Sequence, residues 1–292
     1  MATMTTPTSH TSRLHADRIS IGYGDRPVSQ DLSVAVPEDS FTVVIGPNAC
    51  GKSTLLRALA RLLRPTAGSV VLDGKDIHRL PPKTVAQQLG LLPQSSLAPD
   101  GISVIDLVAR GRFPHQRLLQ QWTPDDRRAV HEALEQTSTS HLSARPVAEL
   151  SGGQRQRVWI AMVLAQQTPL LLLDEPTTFL DIAHQVGVLD LCRQLHHQGR
   201  TVVAVLHDLN QAARYATHLI AMKDGVVVST GGPEEVVTEE LVREVFGLAC
   251  VVVPDPVTGT PMVVPCADDA DLTGARHHGA RQGKDVAAPQ AS

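Results

Sequence analysis

The sequence predicts an α/β fold in which a parallel sheet carries a phosphate-binding loop, with an antiparallel strand pair before it and a helical lobe inserted into it. Three observations predict this. Residues 41–63, FTVVIGPNACGKSTLLRALARLL, read as a buried strand, a glycine-bearing loop and an amphipathic helix. Val43, Val44 and Ile45 precede the loop, and Leu55, Leu56, Leu59, Leu62 and Leu63 follow it at helical spacing. Residues 170–173 and 201–206 are unbroken apolar runs of strand length, as expected of parallel strands buried on both faces. Residues 104–148 shift to a helical period, with Val104, Leu107 and Val108 on one face and Val130, Ala133 and Leu134 on another.

Size and charge narrow the class. At 292 residues and 42% hydrophobic content the chain can bury a sizeable core. A net charge of −4 gives no reason to expect sequence-independent affinity for nucleic acid. No apolar run approaches the roughly 18 residues a membrane span needs, and MATMTTPTSH at the start has neither the basic nor the apolar part of a signal peptide, so a cytoplasmic chain is expected. Cys50, Cys192, Cys250 and Cys266 show no metal-ligand spacing, which fits reduced, unpaired thiols.

In order along the chain, residues 1–13 are rich in Thr and Ser and are expected to be disordered. Ile19 and Ile21 alternate with polar residues before a turn at residues 22–27, and Leu32, Val34 and Val36 alternate after it, which reads as an antiparallel pair with Tyr23 in the turn. In the phosphate loop, Gly46 and Gly51 let the backbone curl so that successive N–H groups point inward, and the helix beginning near Lys52 adds its positive end. Lys52 supplies a charge to the phosphates, Ser53 a hydroxyl for Mg2+, and Thr54 a phosphate contact. Cys50 lies among those donors, conditions that favour thiolate. Pro65 sets the end of the helix at Arg64. Residues 70–72 and 89–92 are short strands, and the second ends at Pro93-Gln94.

Between the lobe helices, residues 111–121 place Arg110, Arg112, His115 and Arg117 around Phe113-Pro114, either a solvated basic loop or a partner surface. LSGGQRQR follows at residues 150–157. Ser151 is an N-cap with Gly152, Gly153 and Gln154 behind it, a second helix start suited to an anion, and Arg155 and Arg157 there oppose the helix dipole unless one arrives. The strand 170–173 ends in Asp174 and Glu175: the first can hold Mg2+ through water and the second can polarise an attacking water. His207 leaves the next strand at the same edge. Residues 234–246 read as helical and residues 251–265 as a proline-punctuated hairpin at an edge. Residues 267–292 read as a disordered tail in which His277-His278 is too isolated for a metal site.

With the loop at Gly46 to Ser53, LSGGQRQR and LLLLDEP in this order, the chain resembles the ATP-binding subunits of ATP-binding cassette transporters, over residues 14–265. The resemblance implies a P-loop NTPase fold: a RecA-like parallel sheet core with an antiparallel β subdomain and an α-helical subdomain at about residues 96–158. The ATPase domain would cover residues 14–250, with a β extension at 251–266. It implies ATP and Mg2+ as cofactors. Tyr23 would stack on adenine, and Gly46, Pro47, Asn48, Ala49, Cys50, Gly51, Lys52, Ser53 and Thr54 would hold the phosphates. Ser53, Gln94 and Asp174 would serve the metal, and Glu175, His207 and Gln94 catalysis. Ser151, Gly152, Gly153, Gln154 and Asp181 would touch ATP held by a partner copy, with Leu180-Asp181 at the subunit contact. Ala49 and Phe179 depart from the wider family's commoner residues.

GRFPH at Gly111, WIAMVLAQ at Trp159, TTFLDIAHQ at Thr177 and HDLNQAARYATH at His207 are similar to ferric-siderophore importers, with haem and cobalamin importers close by. That similarity implies a homodimer of ATP-binding subunits, integral membrane permease subunits and, indirectly, a substrate-binding protein, with no nucleic acid. It also implies a peripheral position on the cytoplasmic face of the membrane. The competing class, a soluble non-transport cassette ATPase, fits less well, because the stretch between Gln94 and Leu150 is too short for the long coiled coil of repair types and only one cassette is present.

Overall fold

The computed structural model describes residues 12–94, 98–116 and 122–266. Residues 1–11 of the end expected to be disordered at 1–13, the tail at 267–292 with its His277-His278 pair, and residues 117–121 of the 111–121 segment, Arg117 among them, lie outside the described residues.

β1 (Leu14–Tyr23) and β2 (Arg26–Val36) pair antiparallel, with Tyr23 opposite Arg26, so the turn narrows to Gly24-Asp25 and Tyr23 belongs to the strand. β3 (Phe41–Ile45) feeds the loop and α1 (Lys52–Leu59). β4 (Ala67–Leu72) returns to lie beside β1, with β5 (Lys75–Asp76) beyond it, completing a sheet of order β2-β1-β4-β5. α2 (Pro82–Gln88) then leads into β6 (Leu89–Leu92).

The first helix ends earlier than Pro65 suggests. Arg61 turns left-handed at φ 64°, its N–H donates to Ala58 O at 3.0 Å, and Leu62 N–H donates to Arg57 O at 2.8 Å. Those two bonds are the Schellman pattern, here with arginine where glycine is usual. A following proline marks only the last residue at which a helix could stop, and α1 stops at Leu59, which leaves Leu62 exposed.

In the lobe, α3 (Val104–Ala109) and α4 (Pro124–Gln136) pack on α5 (Gly152–Ala165). Val104, Leu107, Val108, Val130, Ala133 and Leu134 are buried there with Val158 and Ala161. The segment between α3 and α4 is not a loop at its start: Arg110–His115 is a 3-10 helix. Arg112 is buried in it, bonded to Asp126 at 2.8 Å, Ala165 O at 2.8 Å and Gln167 at 2.9 Å, so its charge serves packing inside the lobe and is not presented to a partner. Burial raises the Asp126 carboxyl, but hydrogen bonds from Arg112 and Thr123 outweigh it and hold the group below the usual carboxylate range.

β7 (Leu170–Asp174), α6 (Ile182–His197), β8 (Thr201–Val205), α7 (Leu209–Tyr215) and β9 (His218–Lys223) follow, and β10 (Val226–Gly231) folds back on β9. The main sheet runs β10-β9-β3-β8-β7-β6, parallel from β9 to β6. Leu171 and Leu173 join the apolar cluster on one face and Leu170 and Leu172 that on the other, so the unbroken run is buried on both sides. The β9–β10 hairpin escaped the reading above, although Asp224-Gly225 between two apolar runs is its signal; both residues have positive φ, 47° and 80°.

The helical reading of residues 234–246 splits into α8 (Pro233–Val236) and α9 (Glu239–Phe246), because Thr238 caps the second helix through Leu241 N–H. β11 (Cys250–Pro254) and β12 (Pro261–Pro265) form a hairpin that is a two-stranded sheet of its own and does not extend the edge of a larger one. It is fastened to α7, where the Asn210 amide meets both backbone groups of Val263 and Arg214 pairs with Asp255.

Candidate nucleotide site

Strand order brings the site together. β3, β8 and β7 are neighbours, so the loop after β3, His207 after β8 and Asp174-Glu175 at the tip of β7 share the carboxyl edge of the sheet, where open parallel sheets place their ligands. β6 flanks β7 and delivers Gln94 to the same edge.

At Gly46 a Cβ would lie 2.2 Å from Met222 O, so only glycine lets the loop leave β3 against β9. Lys52 is buried, and its Nζ donates to Gly46 O at 2.9 Å and Pro47 O at 2.8 Å, which draws the loop into a ring around the ammonium. A cleft of about 280 Å3 is lined by Asn48, Ala49, Gly51, Lys52, Ser53 and Thr54, together with Glu175, His207 and Val28. Val28 on β2 carried no sequence signal. Ala49 adopts φ 63° and Glu175 φ 53°, left-handed conformations at roughly 1–2 kcal/mol for a residue with a Cβ. Such strain concentrates at functional sites.

Cys50 corrects an expectation. Its side chain is buried beneath the loop, its Sγ 2.8 Å from where a Gly46 Cβ would sit, and it does not line the cleft. Burial pushes the thiol up, and this outweighs the Lys52 charge and the N–H groups that pull it down. Helix start and lysine alone had argued for thiolate.

Ser53 Oγ donates to Asp174 Oδ1 at 2.7 Å. Asp174 is buried, and burial raises its carboxyl despite the Ser53 hydrogen bond, with the neighbouring Glu175 charge adding to the rise. A hard divalent cation between these oxygens would relieve that penalty, so the donor set fits Mg2+. No group of three or more His, Cys, Asp or Glu side chains able to hold a metal occurs among the described residues.

Glu175 is the most heavily bonded carboxylate here. Its Oε1 lies 2.8 Å from His207 Nε2, and its Oε2 accepts from Gln94 Nε2 at 2.8 Å and Thr178 Oγ1 at 3.1 Å. Burial raises it, but His207, Gln94 and Thr178 together hold it below the usual range, so it stays ionised. Gln94, solvated in isolation, is thus brought onto the carboxylate. Tyr23 does not line the cleft; its hydroxyl accepts from Arg57 Nη1 at 3.1 Å, on the helix that begins at Lys52.

The second helix start stands apart. Ser151 accepts from Gln154 N–H at 3.3 Å while Gln154 Oε1 accepts from Ser151 N–H at 3.1 Å, and none of residues 151–154 lines the cleft. Arg155 folds back to the carbonyls of Ala148 and Leu150, which offsets part of its conflict with the helix dipole. Gly153 has no room for a side chain: a Cβ would meet the His184 ring at 2.4 Å. His184 in turn bonds Asp181 at 2.7 Å, so the helix start is packed against the turn before α6.

The ABC transporter family model matches residues 29–178. The chain is 51% identical over 267 residues to the ferric enterobactin transport ATP-binding protein FepC of Escherichia coli (strain K12), covering 91% of this chain and 98% of that protein. It is 48% identical over 250 residues to the iron(3+)-hydroxamate import ATP-binding protein FhuC of Bacillus subtilis (strain 168), covering 85% and 93%. The dimeric structure of MJ0796, a bacterial ABC transporter cassette, superposes with a TM-score of 0.67 at 27% identity, covering 75% of this chain and 98% of that one. A cleft built for a nucleotide and a family match across half the chain agree, and this chain belongs to the ABC transporter family, whose ATP-hydrolysing subunit it is.

Proposed function

We propose that the chain energises uptake of a ferric siderophore or related iron complex through integral membrane permease subunits, working as a homodimer that closes head to tail around two molecules of MgATP at the cytoplasmic face of the membrane. The cargo reading is supported by relatives named for ferric enterobactin and for iron(3+)-hydroxamate at nearly equal identity. The single observation that carries the composite site is that the capped helix start at Ser151 to Gln154 lies outside the cleft around Lys52. A second copy supplies it. The turn beside it exposes Phe179 at 98% and Ile182 at 78%, an apolar pair that a partner would cover.

Within each composite site the Lys52 ammonium exchanges its loop carbonyls for the β- and γ-phosphates, and the α1 N-terminus adds its N–H donors. Tyr23 stacks on adenine. Ser53, Asp174 and Gln94 serve Mg2+, which when bound neutralises charge on the phosphates. Glu175, kept ionised, accepts a hydrogen bond from the attacking water, while His207 steadies Glu175 and reaches the γ-phosphate. The permease subunits dock on the helical lobe, which exposes Ile105, Phe113 and Trp122. No helix among the described residues is long and apolar enough to cross a membrane, in keeping with a peripheral subunit.

Mixing Lys52→Ala and Ser151→Arg chains tests the composite site, because a mixed dimer holds one site with both defects and one with neither. Recovery of ATP turnover above either variant alone is expected; no recovery rejects the arrangement. For the cargo, cells carrying only the Lys52→Ala chain should lose ferric-siderophore uptake and keep cobalamin uptake, and the converse would reassign it.

A further inference from the structure

Two elements that end at the site are also tied to each other away from it. α6 follows the turn that runs from Glu175 to Asp181, and α7 follows His207-Asp208. Gln185, in the first turn of α6, donates through Nε2 to Leu180 O at 2.9 Å. A carbonyl can only accept, so this bond fixes the orientation of the amide and leaves its Oε1 for Gln211 Nε2, which donates to it at 2.8 Å. Gln211 N–H in turn donates to Asp208 Oδ1 at 2.9 Å. The result is a closed circuit: Glu175, its turn to Leu180, Gln185, Gln211, Asp208 and His207, whose Nε2 returns to Glu175 at 2.8 Å.

We propose that Gln185 and Gln211 are positioning residues for ATP hydrolysis, an amide bridge that holds α7 at the spacing from the 175–181 turn at which His207 meets Glu175. The inference rests on the roles given above to Glu175 and His207. Geometry shows what the bridge adds. α7 has only seven residues; Leu209 and Ala212 seat its first turn on the core and Asn210 ties that turn to Val263, while Gln211 ties it sideways to α6 and so to the 175–181 turn. Both glutamines are half-buried, which shields their hydrogen bond from competing water. The same helix pair is pinned again at its far end, where Tyr215 donates to Asp190 at 3.1 Å and Arg193 lies 5.1 Å from the ring. That second contact serves as a control, because it joins α6 to α7 without reaching His207.

The test is steady-state ATP turnover by the full chain carrying Gln185→Met, Gln211→Met, both together, Tyr215→Phe or His207→Ala. Methionine keeps the length of the side chain and removes only the amide, and thermal melting reports whether each variant folds. Each single glutamine variant should lower kcat about tenfold with KM for MgATP changed less than about twofold, since the Lys52 loop is untouched. The double variant should lose about the same tenfold, because both changes break one interaction. Tyr215→Phe should keep kcat within about twofold even where it lowers the melting midpoint. Unchanged kcat in the glutamine variants overturns the proposal, as does a roughly hundredfold loss in the double variant or an equal loss in Tyr215→Phe. Were the glutamine variants alone normal while His207→Ala is inactive, the bridge would fail and the site assignment would stand; normal turnover by His207→Ala would remove both.

Discussion

The two glycine-bearing helix starts, at Lys52 and at Ser151, differ in how they satisfy their own N–H groups. α1 follows Gly51 at φ 106° with no side chain capping its first turn, so those donors are left for a ligand. α5 begins with a complete capping box between Ser151 and Gln154 and lies outside the cleft. The first opens into a cleft walled by residues that follow β7 and β8. The second is self-sufficient in one chain; in the proposed dimer an anion reaches it only from another chain. A helix N-terminus is therefore not a site by itself; what surrounds it and what already occupies its donors decide.

The sharpest break of this contrast is Lys52→Ala. It removes the charge at the centre of the loop and should lower ATP turnover by at least about a hundredfold, with ATP binding lost alongside, measured by hydrolysis and equilibrium binding. Normal hydrolysis would mean that the cleft is not the site. Next comes Glu175→Gln, which keeps the shape of the side chain but cannot polarise water as a carboxylate does. Turnover should fall about a hundredfold while ATP is still bound, and stable dimers should accumulate with ATP. Turnover at the unmodified rate would make Glu175 structural only.

Ser151→Ala has a smaller effect and tests the other side of the comparison. Loss of the cap should cost about 1 kcal/mol in denaturant unfolding, with ATP binding by an isolated chain unchanged. If binding by the single chain fell, Ser151 would belong to its own chain's cleft. The smallest effect concerns Cys50. Because burial raises its thiol, alkylation near neutral pH should be slow with or without MgATP and should quicken as pH rises toward the range of the raised thiol. Rapid labelling at neutral pH would show that the loop opens in solution.

Much of the machinery was legible locally. Strand, loop and helix at residues 41–63, the capped start at Ser151 and the acidic tip at Asp174-Glu175 are short-range patterns, and apolar periodicity, glycine placement and N-cap chemistry act over a few residues. Legibility failed where distant or local competitors intervened. The early end of α1 at Leu59 came from a left-handed Arg61, which many residues can adopt at modest cost, so no residue type announces it. The expected Cys50 thiolate ignored burial beneath the loop, and the basic cluster at Arg110 to His115 lost Arg112 to an ion pair inside the lobe.

By itself the sequence determined which chemical groups are present and which local frame each one rides on: Lys52 at a helix start, Glu175 and His207 at strand ends, Gln94 after a strand, Ser151 at a cap. Only the tertiary structure decided which of them meet. Ser53 bonds Asp174 across 121 residues of chain, and Gln94 bonds Glu175 across 81. Both contacts exist because β3, β8, β7 and β6 are adjacent in that order, and Ser151 is left out of the cleft by the same arrangement. The physical reason is range. Backbone propensity and capping are settled among neighbours, whereas strand order is settled by burying Leu170 to Leu173 and Thr201 to Val205 on both faces at once, a condition that belongs to the whole sheet.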